Sequence, residues 1–402
     1  MSQNPKIFLS AGEASGEHYG AQLIPAIRRL MPDGEFFGLG GQRMEALGFR
    51  RIVRAEDVAV MGITEVIFHM PRIYGEYRKL KASIRAEKPD AAILIDFPDV
   101  NLSLAKHLKR QGVPVIYFVS PQLWAWKKYR IREVQKYVDR MLVIFPFEER
   151  FYLERGVEAQ FVGHPLADLP LPAKSREEYA REMDLDPSKH WIGLLPGSRS
   201  KEIRLNLPEM LRAAELLADS ADSLGYEFLL PIAPTLTGIQ QAEIYAALPQ
   251  TPNITLTQDA RAVLHHARAS LVASGTATVE AALIGNPFVV VYKVSPLTYA
   301  VAKRVVDVPH VAMANLIANN RVVPELIQGD FTAENAVLHL RPLLDDEEAR
   351  ARMQSSLRSI SDMLKAGNNG SLSSPTSIDR VASITAQMLH RTPKPDENVP
   401  AN

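Results

Sequence analysis

The stretches IFLSAGEASGE at 7–17 and WIGLLPGSRS at 191–200 decide the fold. Each is a short apolar run, then a turn of small residues, then a helical pattern, which spans Gly20 to Leu30 after the first and Leu207 to Leu217 after the second. That order opens a doubly wound α/β sheet, in which the helix N-terminus faces the crevice at the strand's carboxyl end. Outward from these units, runs with little apolar–polar alternation read as parallel strands covered on both faces. In the first half they are Phe36 to Leu39, Ala91 to Ile95, Val115 to Val119, Arg140 to Ile144 and Gln160 to Val162. In the second they are Glu227 to Pro231, Ile254 to Leu256, Ala269 to Val272 and Phe288 to Tyr292. Helical patterns separate most of them, so two Rossmann-like α/β domains are expected.

At 402 residues the chain exceeds one ordinary core. The Pro-bearing stretch Leu166 to Lys174 closes the first half, which puts a linker near 165–188 between domains at 1–168 and 185–345. Asn335 to Met363 reads as helices, interrupted at Gly367-Asn368-Asn369-Gly370, and a last helix runs from about Ser377 to His390. The tail at 391–402, with Pro393, Pro395 and Pro400, is expected to be disordered.

Lys+Arg and Asp+Glu both total 46, so no global charge bias points to nucleic acid. The absence of cysteine excludes disulfides, thiolate metal sites and thiol nucleophiles. Met1 to Lys6 leads into a short apolar strand without the longer core and cleavage site of a secretory signal. No uncharged apolar run reaches the ~18 residues of a membrane span, so the expected location is the cytosol or a membrane surface. The ten His residues show no ligand spacing beyond adjacent His265 and His266, and no metal is expected. GxSxG, Walker A and complete GxGxxG motifs are all missing.

Four constellations can carry chemistry. Gly197, Ser198 and Arg199 form a strand-to-helix turn whose amides, hydroxyl and guanidinium suit a phosphate; the alternative is a solvated geometric turn. Ser274, Gly275 and Thr276 open a second such turn, with Glu280 one helical turn on to accept ribose hydroxyls; alternatively Thr276 caps the helix and Glu280 bonds locally. Asp96 and Asp99 stand at the carboxyl end of a first-half strand, where Asp96 suits a general base and Asp99 a helix cap. Glu13, in a turn that also holds Ser15, adds a carboxylate at another strand end.

Trp124, Trp126, Lys127 and Arg130 follow a further strand, the Trp residues as core anchors or as a wall for sugar or acyl chains, the cations as a solvated face or a contact to phosphate or membrane. The apolar segment Val58 to Pro71, including Met61 and Val66, precedes Arg72, Arg78, Lys79, Lys81 and Arg85. It reads as a helix under its own sheet or as an insertion docking on an anionic bilayer.

Nine stretches in register closely resemble the lipid-A-disaccharide synthases of glycosyltransferase family 19. They are GEASGE at 12–17, VMGITEV at 60–66, IDFPDVN at 95–101, SPQLWAW at 120–126, FPFE at 145–148, GHPLAD at 163–168, LLPGSR at 194–199, ASGTATVE at 273–280, and 308–326 with Met313-Ala314-Asn315-Leu316 and Pro324-Glu325-Leu326. The resemblance implies a GT-B fold whose C-terminal helices, about 350–390, cross back to the first domain. It implies transfer of diacylglucosamine from UDP-2,3-diacylglucosamine to 2,3-diacylglucosamine 1-phosphate (lipid X), with a β(1→6) bond, inversion, release of UDP, and neither metal nor cofactor.

By that resemblance Asp96 matches the base, Glu13 lies beside it, and Ser198, Arg199, Thr276, Glu280 and Asn315 fall on or beside the UDP site. It further implies peripheral attachment to the cytoplasmic face of the inner membrane and admits a C-terminally swapped homodimer. Glu17 and Lys127 stand where Asp and Arg are common in the family. Rival readings are another GT-B enzyme such as a UDP-sugar epimerase or a soluble-acceptor transferase, a non-catalytic nucleotide-binding module and, weakest, a dehydrogenase.

Overall fold

The computed structural model describes residues 4–58, 63–219, 225–233, 236–249, 254–306, 308–367 and 374–391. Contacts divide the chain into two units, residues 1–168 with 364–402 and residues 169–363.

The strands of the first unit are β1 (Lys6–Ala11), β2 (Glu35–Gly40), β3 (Arg50–Arg54), β4 (Ala91–Ile95), β5 (Val115–Phe118), β6 (Arg140–Val143) and β7 (Ala159–Phe161). They form one parallel sheet in the order β3-β2-β1-β4-β5-β6-β7. The order turns back between β1 and β4, whose carboxyl ends are neighbours through the pairing of Ala11 with Ile95. In open sheets that reversal leaves a crevice at the strand ends. β4, Ala-Ala-Ile-Leu-Ile, is buried along its whole length, as a strand covered on both faces must be. Phe8, Leu94, Tyr117 and Met141 belong to the core on one side of the sheet.

The second unit repeats the plan with β8 (His190–Leu195), β9 (Tyr226–Pro231), β10 (Ile254–Thr257), β11 (Ala269–Ala273), β12 (Phe288–Tyr292) and β13 (Glu325–Ile327) in the order β10-β9-β8-β11-β12-β13. Here the reversal lies between β8 and β11, where Leu195 pairs with Val272. Ile192, Leu194, Phe228, Leu271 and Val289 fill its core with Leu207, Met210 and Leu211 of the helix Ser200–Ala218.

Two strands were not expected, and both are edge strands. β3 reads Arg-Arg-Ile-Val-Arg and β13 has only three residues; charge and brevity blunt a sheet edge but hide a strand from pattern reading. The limits of the second unit also differ from expectation. The second unit begins at Leu169, because the helix Arg176–Met183, capped by Ser175 on the Glu178 amide, belongs to it. The helix Glu347–Leu364 belongs there too, so the return to the first unit starts at Leu364 and not near 350. The expected tail lies outside the described residues from 392 onward.

That return has a defined anchor. The helix Ser377–Arg391 packs on the helix Ala14–Leu30, with Val381 and Ala382 buried. Asp168 accepts hydrogen bonds from the Ser377 amide (2.8 Å) and hydroxyl (2.6 Å). Arg380 donates to the Val162 carbonyl (2.9 Å) and Arg29 pairs with Asp379 (2.5 Å). A carboxylate at a helix start satisfies orphan amides and meets the positive end of the dipole. Asp168→Ala should therefore cost about 1–2 kcal/mol in urea unfolding. Amide exchange should quicken in 377–391 before the β1–β4 region, and unchanged exchange in that helix would contradict the anchor.

Candidate active site

In the first unit the chain leaves β4 through two consecutive non-glycine residues in left-handed conformation, Asp96 (φ +47) and Phe97 (φ +50). Each costs roughly 1–2 kcal/mol, so the surroundings must enforce them. Asn101, buried in the following helix Pro98–Lys109, donates through Nδ2 to the carbonyls of Asp96 (2.7 Å) and Ile95 (3.1 Å). Its Oδ1 accepts from the Ser10 hydroxyl of β1 (2.6 Å). Tyr117, buried in β5, donates its hydroxyl to the same Asp96 carbonyl (2.6 Å). Gly12 makes room for the displaced Phe97 ring, since a Cβ there would lie 2.3 Å from Phe97 Cδ1. Three strands and a helix thus fix the backbone of Asp96 at the switch point.

Asp96 is half-buried, and burial pushes its pKa up to about 6; the negative charge of Glu13, at the end of β1, adds to the rise, and a hydrogen bond from the Phe97 amide opposes it. A carboxylate with that value is ionised at neutral pH yet more basic than an exposed one. Glu13 itself is half-buried, makes no side-chain cap on the helix behind it, and Ser15 is exposed beside it. Neither Asp96 nor Asp99 caps the helix Pro98–Lys109, whose N-cap is Phe97. Asp99 instead pairs with Arg130 (2.6 Å) and lies 3.7 Å from Lys127 Nζ.

The second unit supplies the turns. Gly197 (φ +115) leads from β8 into exposed Ser198 and Arg199, and a Cβ on Gly197 would meet the Glu202 carboxylate at 2.7 Å. That carboxylate draws the Ser198 and Arg199 amides (3.4 Å each) and the Arg199 guanidinium (3.3 Å), so the turn is already complementary to an anion. Buried Asn206 holds the turn from behind, donating to the Pro196 carbonyl (3.1 Å) and accepting from the Lys293 amide (2.9 Å).

Beside it, after β11, Ser274 is half-buried and Gly275 (φ +145) begins the helix Thr276–Ile284 without a side-chain cap. Thr276 is exposed; Thr278 turns inward to donate to the Gly275 carbonyl (2.7 Å). Thr276 as a cap is therefore excluded. Glu280 is half-buried, its pKa raised by burial against the pull of Arg261, and no hydrogen bond contributes to its shift.

Other expected site residues take different parts. Asn315 is fully buried and its amide is spent internally. Oδ1 accepts from the amides of Val322 (2.7 Å) and Val323 (2.9 Å), and Nδ2 donates to the Val323 carbonyl (2.9 Å) and to Glu325 (2.8 Å). With both lone pairs and both protons used, it clamps the 311–325 loop and has nothing left for a ligand. Trp124 is half-buried, edge-on to Phe147 at 5.1 Å, whereas Trp126 is 40% exposed beneath Lys127 Nζ at 4.3 Å.

Arg130 is no solvated cation, with a side chain 11% exposed that also donates to the Pro98 carbonyl (3.3 Å). Met61 lies outside the described residues, and Val66 sits on the helix Ile63–Glu87 with its side chain outside them. Farther along that helix Leu80 and Ile84 are buried in the first core, Arg72 pairs with Asp57 and Lys79 with Glu76 (2.7 Å). The side chains of Val58 to Pro71, the segment for which a helix under its own sheet or a docking insertion was expected, lie outside the described residues. Among the described residues no helix is long and apolar enough to cross a membrane, and no cluster of three or more His, Asp or Glu side chains could hold a metal.

Sequence reading missed Asn101 as a positioner, together with Tyr117, Asn206 and Glu202. The visible signal for the amides was a lone Asn within an otherwise apolar helical stripe.

Two units of this kind in one chain make the GT-B fold. Solved structures agree in fold: a putative UDP-N-acetylglucosamine 2-epimerase from Listeria monocytogenes matches with a TM-score of 0.62 at 13% identity (98% of this chain, 100% of that one). The calicheamicin glycosyltransferase CalG4 matches at 0.59 and 17% over 98% of this chain and all of its own. A family model described as lipid-A-disaccharide synthetase matches residues 7–376. Curated lipid-A-disaccharide synthases from Acidobacterium capsulatum and Koribacter versatilis are 64% and 49% identical, covering 97% and 94% of this chain and 98% of each relative. The chain belongs to the lipid-A-disaccharide synthase family, glycosyltransferases of lipid A biosynthesis.

The site makes a titration prediction. A carboxyl resonance absent from Asp96→Asn should titrate near pH 6 in the unaltered chain, Asp96 taking up its proton as the pH falls through that value. In Glu13→Gln it should titrate lower, because one of the two upward pushes is gone. An unmoved midpoint would show the two carboxylates to be independent.

Proposed function

We propose that the chain is an inverting transferase that joins UDP-2,3-diacylglucosamine to 2,3-diacylglucosamine 1-phosphate through a β(1→6) bond and releases UDP. The observation that carries this reading is the fixed, half-buried Asp96 with its pKa raised to about 6. It is a base matched to removing a proton from an attacking hydroxyl near neutral pH. The acceptor 6-hydroxyl oxygen bonds to the donor's anomeric carbon from the face opposite UDP, the bond from that carbon to the diphosphate oxygen breaks, and the hydroxyl proton passes to Asp96. Attack from the opposite face turns an α-linked donor into a β-linked product.

Charge gathering on the departing diphosphate is met by the amides of the turns at 197–199 and 275–276 and by Arg199, in the manner of preorganised oxyanion donors, with no divalent ion in the step. Glu280 accepts from the ribose hydroxyls. Glu13 keeps Asp96 basic and orients the acceptor. Acylated substrates put the enzyme on the cytoplasmic face of the inner membrane as a peripheral protein.

Incubation with both acylated substrates and EDTA should yield UDP and the disaccharide 1-phosphate by mass. Asp96→Ala should lower turnover about 10²- to 10⁴-fold while UDP binding stays within about twofold. Turnover that needs added Mg²⁺, or an Asp96→Ala rate within tenfold of the unaltered chain, would contradict the mechanism.

A further inference from the structure

Among the described residues of the first unit Glu148 is the most deeply buried carboxylate, 1% exposed in the helix Pro146–Leu153, and the proposed mechanism does not use it. Its Oε1 accepts from the Ser120 hydroxyl (2.7 Å) and from the Trp124 indole N–H (3.0 Å), and its Oε2 from the Phe145 amide (3.2 Å). All of these partners donate, so the pocket is built for an ionised group. Burial nevertheless pushes its pKa up to about 7, with the hydrogen bonds pulling the other way. A buried carboxylate is costly, and packing alone would be served by an apolar residue of similar volume.

What Glu148 holds gives the reason. Ser120 and Trp124 lie in the segment that leaves β5 through Val119, itself left-handed at φ +62. Tyr152, one turn along the same helix, donates to the Pro121 carbonyl in that segment (3.1 Å). The segment's near end continues from Tyr117, which bonds the Asp96 carbonyl. Its far end carries Arg130, which grips Asp99 and the Pro98 carbonyl, the first residues after the Asp96–Phe97 turn. The segment is therefore tied to the Asp96 turn at both ends and to the helix Pro146–Leu153 in the middle.

We propose that Glu148 is a positioning residue for transfer, acting through Ser120 and Trp124 to hold the 119–130 segment and hence the geometry of the Asp96 turn. This rests on Asp96 being the base. A neutral amide at 148 must turn its own N–H₂ toward donors, which breaks part of the clamp at nearly constant volume.

The test compares Glu148→Gln, Ser120→Ala, Asp96→Asn and the Glu148→Gln/Asp96→Asn double variant in the full chain. Readouts are kcat, donor KM, UDP affinity and thermal melting, the last confirming a folded protein. Glu148→Gln should lower kcat at least tenfold with donor KM and UDP affinity within twofold. Ser120→Ala, which removes one donor and leaves the carboxylate, should give a smaller fall of the same kind. The double variant should be no slower than Asp96→Asn alone, because both changes disable one step. Folded Glu148→Gln and Ser120→Ala with kcat within twofold, or losses appearing mainly in donor KM, overturn the inference while a dead Asp96→Asn leaves the base reading standing. An active Asp96→Asn overturns the base reading instead.

Discussion

The Asn101 amide is the constraint on which the first site depends. One buried side chain joins the hydroxyl of Ser10 on β1 to the carbonyls that end β4, and so locks the two strands where the sheet order reverses. The lock does more than add stability. It keeps Asp96 and Phe97 in a conformation that an unconstrained chain avoids, and it points a carboxylate into a partly dry place beside a second one. The raised pKa follows from that placement, and the proposed role of Asp96 as a base draws on it.

The second unit solves a related problem by the same means. Asn206 stands behind the Gly197–Arg199 turn much as Asn101 stands behind Asp96, with its amide bonded to main chain on two sides. Asn315 and Glu325 do likewise for the loop after β12, where the Val311 and Ala312 amides close on the carboxylate. In each case a buried, hydrogen-bonded amide fixes backbone. Such preorganisation costs nothing at the moment of reaction.

How legible was this in the sequence? The apolar runs at 7–11, 91–95 and 191–195 gave away the sheets, because strands buried on both faces have no polar alternation to confuse the reading. The turns at 197–199 and 274–276 were visible through their glycines, whose positive φ angles the structure explains. The carboxylate at 96 was visible by its place at a strand end. The edge strands at 50–54 and 325–327 were not, one being charged and the other short.

Nor could spacing show that Asn315 spends its whole amide on its own loop, or that Arg130 turns inward to Asp99. Those facts depend on which backbone groups come to lie opposite a side chain, and only tertiary structure sets that. Glu148 shows the limit most clearly. In sequence it is one acid among 46 acidic residues, and its environment alone marks it out.

In the proposed reaction a uridine diphosphate on the glycine turns and an acceptor hydroxyl on Asp96 take part in one step. A crystal structure with UDP and the acylated monosaccharide phosphate bound together tests it most directly. The diphosphate is expected on the amides of 197–199 and 275–276, and the acceptor 6-hydroxyl within about 3 Å of the Asp96 carboxylate. An acceptor whose hydroxyl contacts some other base, with Asp96 facing solvent away from both ligands, would contradict it.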